Sequence, residues 1–226
     1  MIKAILRAVV LMGRAVYGPR PALHTRNFGR QPGVAFMWSK RRVTGLIPAA
    51  SVLVVALAPA MAAAAAPFTL RSPDIASGGT IDPSHVYDHS GCSGGNLSPA
   101  FSWSHPPAGT RSFALLVLDT DAPMGSFWHW MVFDIPASVG SLRAGAGDPA
   151  KGLLPRGAEQ TRNGYGFLGY GGPCPPSGSV HHYHFMLYAL RVPKLGLGAG
   201  AQPDRVSSAV SAAALGEAEI VAIYGQ

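Results

Sequence analysis

The chain has 226 residues, 48% hydrophobic and 13% charged, with 28 Gly and 20 Pro. So few charges exclude a disordered, solvating chain, and so many turn formers exclude a coiled coil or a helix bundle. The formal charge of +7 divides into +9 over residues 1–66 and −2 over residues 67–226, so the body carries no electrostatic footprint for nucleic acid.

In chain order, residues 1–36 are basic, free of acid, and precede a complete export signal that begins at Met37. They read as an upstream extension that takes no part in the fold. The signal has a positive stretch (Ser39-Lys40-Arg41-Arg42), an apolar run over 46–59 and small residues from Ala60 to Ala66. This predicts a cleaved signal peptide over 37–66 and an exported, periplasmic or secreted domain over 67–226. An uncleaved anchor through residues 45–66 is the alternative, because that stretch is uncharged and long enough to span. Pro48, Pro59 and the alanine run weaken it as a span. A domain of this size buries roughly 70% of its extended surface, enough for one core.

Short strands are expected over 68–71, 100–103 and 220–224. Stronger ones fall over 112–120 (SFALLVLDT), 128–135 (WHWMVFDI) and 181–190 (HHYHFMLYAL), each bounded by Gly or Pro. The first of these three is apolar throughout and reads as buried on both faces. One helix is expected over 203–216, started by Pro203, capped by Gly216, with Val206, Val210 and Leu215 as its apolar stripe. Gly/Pro-rich segments separate the strands, above all residues 143–176. The class is mainly β, an antiparallel sandwich or sheet.

Export places Cys92 and Cys174 in an oxidising compartment, where a pair of cysteines favours a disulfide. Such a bridge would staple two Gly/Pro-rich loops. The alternative is a free, nucleophilic Cys174 beside His181 or His182. Pro173 and Pro175 flank it, and no helix N-terminus follows to lower its pKa.

Residues two apart on a strand face the same way. Asp119 ends the Phe113, Leu115, Val117 stripe, and Asp121 follows two further on. His181 and Tyr183 begin the stripe of Phe185 and Leu187. His129 shares the parity of Met131 and Phe133, so it is expected on their face. Taken alone, Asp119-Thr120-Asp121-Ala122-Pro123 is a turn. His89 and His105 are ordinary surface or core histidines, Trp128 and Trp130 are packing, and His182 and His184 face away from His181. The coincidence of carboxylate, imidazole and phenol at strand ends, beside rigid Pro-rich loops, is what points to a pocket.

The strings GCSGGNLSPAFSW (91–103), SFALLVLDTDAP (112–123), HWMVFDIP (129–136) and GYGGPCPPSGSVHHYHFMLYAL (169–190) resemble the phosphatidylethanolamine-binding protein family, in its bacterial, Raf-kinase-inhibitor-like branch. The resemblance covers residues 68–224. It implies a large antiparallel sheet packed with a smaller one, plus short helices including a C-terminal one. It also implies a small pocket for phosphate-like anions and phosphoryl head groups. Its ligand-binding residues here are Asp119, Asp121, His129, Pro175, His181 and Tyr183. One departure is Thr120, where the family's loop has Pro; this predicts a looser loop.

The chemistry expected is capture without turnover. Imidazolium N–H groups of His129 and His181, the Tyr183 hydroxyl and backbone N–H groups would bind a phosphoryl oxygen. Asp119 would favour a protonated imidazole. Asp121 would do likewise, or meet the ammonium of an ethanolamine head group. Anion affinity would then fall as pH rises through the histidine range. No cofactor or metal is expected, and no enzyme: the Asp/His cluster is an incomplete set for metal-assisted or acid–base hydrolysis, and no nucleophile elbow occurs. The expected partner is a small phosphorylated or anionic ligand, a lipid head group being compatible. A protease- or kinase-inhibitor-like interaction protein is the third reading.

Overall fold

A computed structural model describes residues 65–226 apart from Met124. The upstream extension, and all but the last two residues of the signal peptide and of the alternative anchor, lie outside the described residues. Among the described residues, no helix is long and apolar enough to cross a membrane.

Among the described residues, eight strands and one α-helix follow in order: β1 (Thr69–Arg71), β2 (Phe101–Ser104), β3 (Ser112–Asp119), β4 (Phe127–Pro136), β5 (Ser141–Leu142), β6 (Glu159–Gln160), β7 (Val180–Leu190), α1 (Pro203–Ala213) and β8 (Ala214–Gly225). They form two antiparallel sheets. The small one has the order β1-β2-β5, the large one β6-β4-β3-β7-β8. The architecture is the mainly-β, two-sheet one expected.

The large sheet is covered on both faces. One face meets the small sheet: Phe113, Leu115, Val117, Val132, Phe185 and Leu187 pack with Leu70, Phe101, Trp103 and Leu142. The other meets the helix: Ala114, Leu116, Met131, Phe133 and Leu190 pack with Val206, Val210 and Ala213. This is why the central strand β3 is a continuous apolar run rather than an alternating one. Each large side chain buried this way contributes about 1.5–3 kcal/mol of transfer free energy.

Two corrections concern periodicity. The helix ends at Ala213, and Gly216 does not cap it. Ala214 is already extended and β8 begins there, leaving Leu215 exposed on the strand. The alternation Glu217, Ala218, Glu219, Ile220, exposed then buried, is a strand pattern that runs back toward the helix.

The second correction is in β4. Val117 pairs with Trp130 but Leu118 pairs with Trp128, so His129 is the extra residue of a bulge. Trp128 and Trp130 consequently serve opposite cores although they share parity. Met131 and Phe133 pack toward the helix, whereas the His129 ring meets Tyr183, a member of the core on the small-sheet side. His129 therefore does not share the face of Met131 and Phe133. A second irregularity lies where Phe113 pairs with Ile135 and Leu115 with Val132. There Asp134 takes a positive φ of 56°, and its carboxylate accepts the Leu195 N–H at 2.7 Å, clipping down the loop before α1.

Candidate functional site

Asp119, the last residue of β3, sits opposite Tyr183 in the β3–β7 ladder. His181 lies two residues earlier on β7, past the end of β3. Its Nδ1 approaches Asp119 Oδ2 at 2.7 Å, with both side chains 6% exposed. The second carboxylate oxygen, Oδ1, accepts the Asp121 N–H at 2.8 Å. Both oxygens of this buried carboxylate are thus engaged by the protein itself.

Asp121 has a different environment. It is exposed, and its Oδ2 accepts from both the backbone N–H (2.8 Å) and Nδ1 (2.7 Å) of His182. The hydrogen bond from His182 holds the Asp121 carboxyl below the usual carboxylate range. His182 thus serves the rim of the cluster, while His184 turns to Glu219 at 2.7 Å. The Thr120 hydroxyl lies 3.3 Å from His184 Nε2, so with the Asp121–His182 contacts the loop is tied to β7 at two residues.

The bulge delivers His129 to the cluster. Its ring stands edge-on to Tyr183, with centroids 5.2 Å apart, and Tyr183 is stacked 6.5 Å from His181. His129 is buried, and its Nδ1 lies 2.7 Å from the Gly171 carbonyl oxygen. That oxygen can only accept, so Nδ1 carries the proton. Burial pushes the imidazole down to about 4, against the opposing pull of its backbone hydrogen bonds and the Asp119 charge. His129 is therefore neutral near pH 7, which corrects its expected role as an imidazolium donor. The Tyr183 phenol is pushed upward by burial and then by Asp119, so it keeps its proton. Two buried polar atoms in the cluster, His129 Nε2 and Tyr183 Oη, have no hydrogen-bond partner.

Pro175 is buried, and its carbonyl accepts from Gln226 Nε2 at 2.7 Å. The contacts of Asp119, His129, His181 and Tyr183 described above do not include it. Cys92 and Cys174 form a disulfide across 82 positions, so Cys174 is not a free nucleophile. His89 is a surface residue bonded to Asp88.

The Gly/Pro-rich segment supplies residues that sequence patterning did not single out. Tyr165 is edge-on to His129 at 5.8 Å, stacks on Tyr87 at 4.0 Å, and donates its hydroxyl to the Gly172 carbonyl at 2.9 Å. Asn96 accepts the Gly172 N–H at 2.9 Å. A Cβ on Gly172 would run into the His85 carbonyl, so only glycine lets this strip, with its Gly171 carbonyl, lie against the 85–87 turn. The signal available was the density of Gly and Tyr in this segment, which carries no period.

The family model described as phosphatidylethanolamine-binding protein matches residues 71–225. The chain belongs to that family. The Escherichia coli K12 protein YbcL is 43% identical over 72% of this chain and 90% of its own length. YbhB of the same strain is 38% identical over 69% of this chain and 98% of its own. A putative lipoprotein, LppC of Mycobacterium tuberculosis H37Rv, is 39% identical over 72% and 75%. The crystal structure of YbcL, described as a new member of the mammalian PEBP family, superposes with a TM-score of 0.69 at 41% identity. It covers 71% of this chain and 99% of that one. A Chlamydia trachomatis homologue of the family superposes at 0.59 with 29% identity, over 70% and 97%.

Proposed function

We propose that the cluster of Asp119, His129, His181 and Tyr183 holds a small oxyanion, a phosphate or the phosphoryl part of a head group, and that the protein binds this ligand without transforming it. The observation that carries the reading is the pair of buried, unpartnered polar atoms, His129 Nε2 and Tyr183 Oη. Buried polar groups without partners are rare and destabilising, and a bound ligand relieves them. Membership of a family described as phosphatidylethanolamine-binding favours the phosphoryl group as that ligand. Asp121, whose carboxylate is paired with His182 beside the cluster, is assigned to its rim.

Binding is favoured over catalysis by the state of the carboxylates. Asp119 has both oxygens engaged and Asp121 is paired with His182, so neither is placed as a free general base. Among the described residues, no group of three or more His, Cys, Asp or Glu side chains is arranged to hold a metal ion. A disulfide and the relatives named as putative lipoproteins support a place in the cell envelope, reached through the signal at 37–66.

Titration calorimetry with inorganic phosphate tests the reading. We expect saturable binding that weakens about tenfold in Tyr183→Phe, from loss of one hydrogen bond. Absence of binding, or an unchanged affinity in the variant, would sink it. A phosphomonoesterase assay that detected turnover would overturn the non-catalytic part.

A further inference from the structure

The hydrogen-bonding polarity of the cluster says more than that an anion fits. Tyr183 offers an O–H. His129 offers the opposite: with its single proton on Nδ1 and directed at the Gly171 carbonyl at 2.7 Å, its Nε2 presents a bare lone pair. The other tautomer would set the Nδ1 lone pair against the carbonyl lone pairs at that distance. The titratable groups around His129 are Asp119 from β3, His181 and Tyr183 from β7, and Tyr165 from the segment before β7. Each oxygen of Asp119 already accepts one hydrogen bond, from His181 and from the Asp121 N–H, so neither is an unpartnered atom. The two unpartnered atoms are therefore one donor and one acceptor, on rings 5.2 Å apart.

A phosphate dianion has only acceptors. So does a phosphodiester monoanion. Either would satisfy Tyr183 and set oxygen lone pairs against His129 Nε2. A phosphomonoester carrying one proton has both kinds of group: P–O⁻ oxygens for Tyr183 and a P–O–H for Nε2. We propose that this site selects a singly protonated phosphomonoester over the corresponding diester, reading the ligand's own proton through His129. This rests on the anion-binding assignment above and names the class of anion. His129 is then a specificity-determining residue rather than a source of positive charge. The depressed imidazole pKa is consistent with this, since it keeps Nε2 an acceptor throughout the physiological range.

The test is titration calorimetry of the full domain with phosphoethanolamine, a monoester, and glycerophosphoethanolamine, a diester with the same ammonium. It runs from pH 5.5 to 8.5, in two buffers of different ionisation heat so that protons are counted. We expect the monoester to bind roughly tenfold to a hundredfold more tightly at pH 5.5, the range seen when a buried polar group is left unmatched. Its affinity should fall about tenfold per pH unit above the second phosphate ionisation near pH 6, with one proton taken up per complex. The diester should bind weakly, with no matching loss. The diester carries no phosphate proton that titrates in this range, so the ratio of the two affinities isolates the ligand's proton. Equal affinities, or the same proton uptake with the diester, would overturn the selectivity while leaving anion binding intact. If inorganic phosphate also fails to bind, the anion assignment itself falls. In His129→Gln, whose amide can donate as well as accept, the gap should narrow. If that variant does not fold, the wild-type ratio alone decides.

Discussion

Asp119 and His181 form a buried pair in which Nδ1 and Oδ2 lie 2.7 Å apart, and the carboxylate's other oxygen is held by the Asp121 N–H. The arrangement fixes the imidazole's orientation and faces its Nδ1 toward the protein. Replacing Asp119 by Asn should weaken the contact and leave the His181 ring free to reorient. We expect a loss of about 2 kcal/mol in urea unfolding, the scale of a charge-assisted hydrogen bond. Phosphate affinity should drop about tenfold in the same variant. Unchanged stability would show that the pair contributes nothing net.

Burial lowers the His129 pKa from 6.5 to about 4. The unfolded chain therefore binds a proton in this window that the folded chain does not. Stability from this group is full above pH 6.5 and is lost as pH falls toward 4. The difference amounts to roughly 3 kcal/mol at about 1.36 kcal/mol per pH unit. Urea midpoints measured at pH 7.5, 5.5 and 4.2 should decline accordingly, and His129→Gln should flatten the decline.

Tyr183→Phe separates stability from binding. The lost hydroxyl has no partner in the unliganded protein, so its removal should leave unfolding free energy unchanged or raise it by up to about 1 kcal/mol. A destabilisation above 1 kcal/mol would reveal a structural role for the hydroxyl that the described contacts do not contain.

Replacing both Cys92 and Cys174 by Ala opens a loop spanning 82 positions. The chain-entropy estimate for such a loop is about 4 kcal/mol, and a fall in Tm of about 10 °C follows for a domain of this size. Calorimetric scans of the two proteins, with and without reductant, measure it. A reduced wild type that melts with the oxidised one would refute the estimate.

Much of the fold was legible because apolar runs bounded by Gly and Pro mark strands without ambiguity. The stretch SFALLVLD is buried on both faces because small sheet and helix cover it, and its composition says so. The limits of β8 were less legible, since Ala214 and Leu215 satisfy a helical stripe as well as a strand. Only tertiary pairing with β7 decides between them. In the site, strand parity predicts where Asp119, His181 and Tyr183 stand, because nothing interrupts the ladder between β3 and β7. Parity fails for His129 because a bulge is a property of two paired strands and leaves no mark in one. Tyr165 and Asn96 lie in aperiodic segments, where position depends on close glycine packing rather than on any repeat.

The extra residue in β4 makes the cluster sensitive to counting. A homologous chain shortened by one position between Trp128 and Trp130 could retain carboxylate, phenol and the partner imidazole, yet turn its remaining aromatic toward the helix layer. Inventories of matching letters are therefore insufficient to transfer ligand recognition between relatives; the insertion and deletion pattern across this short stretch has to agree as well.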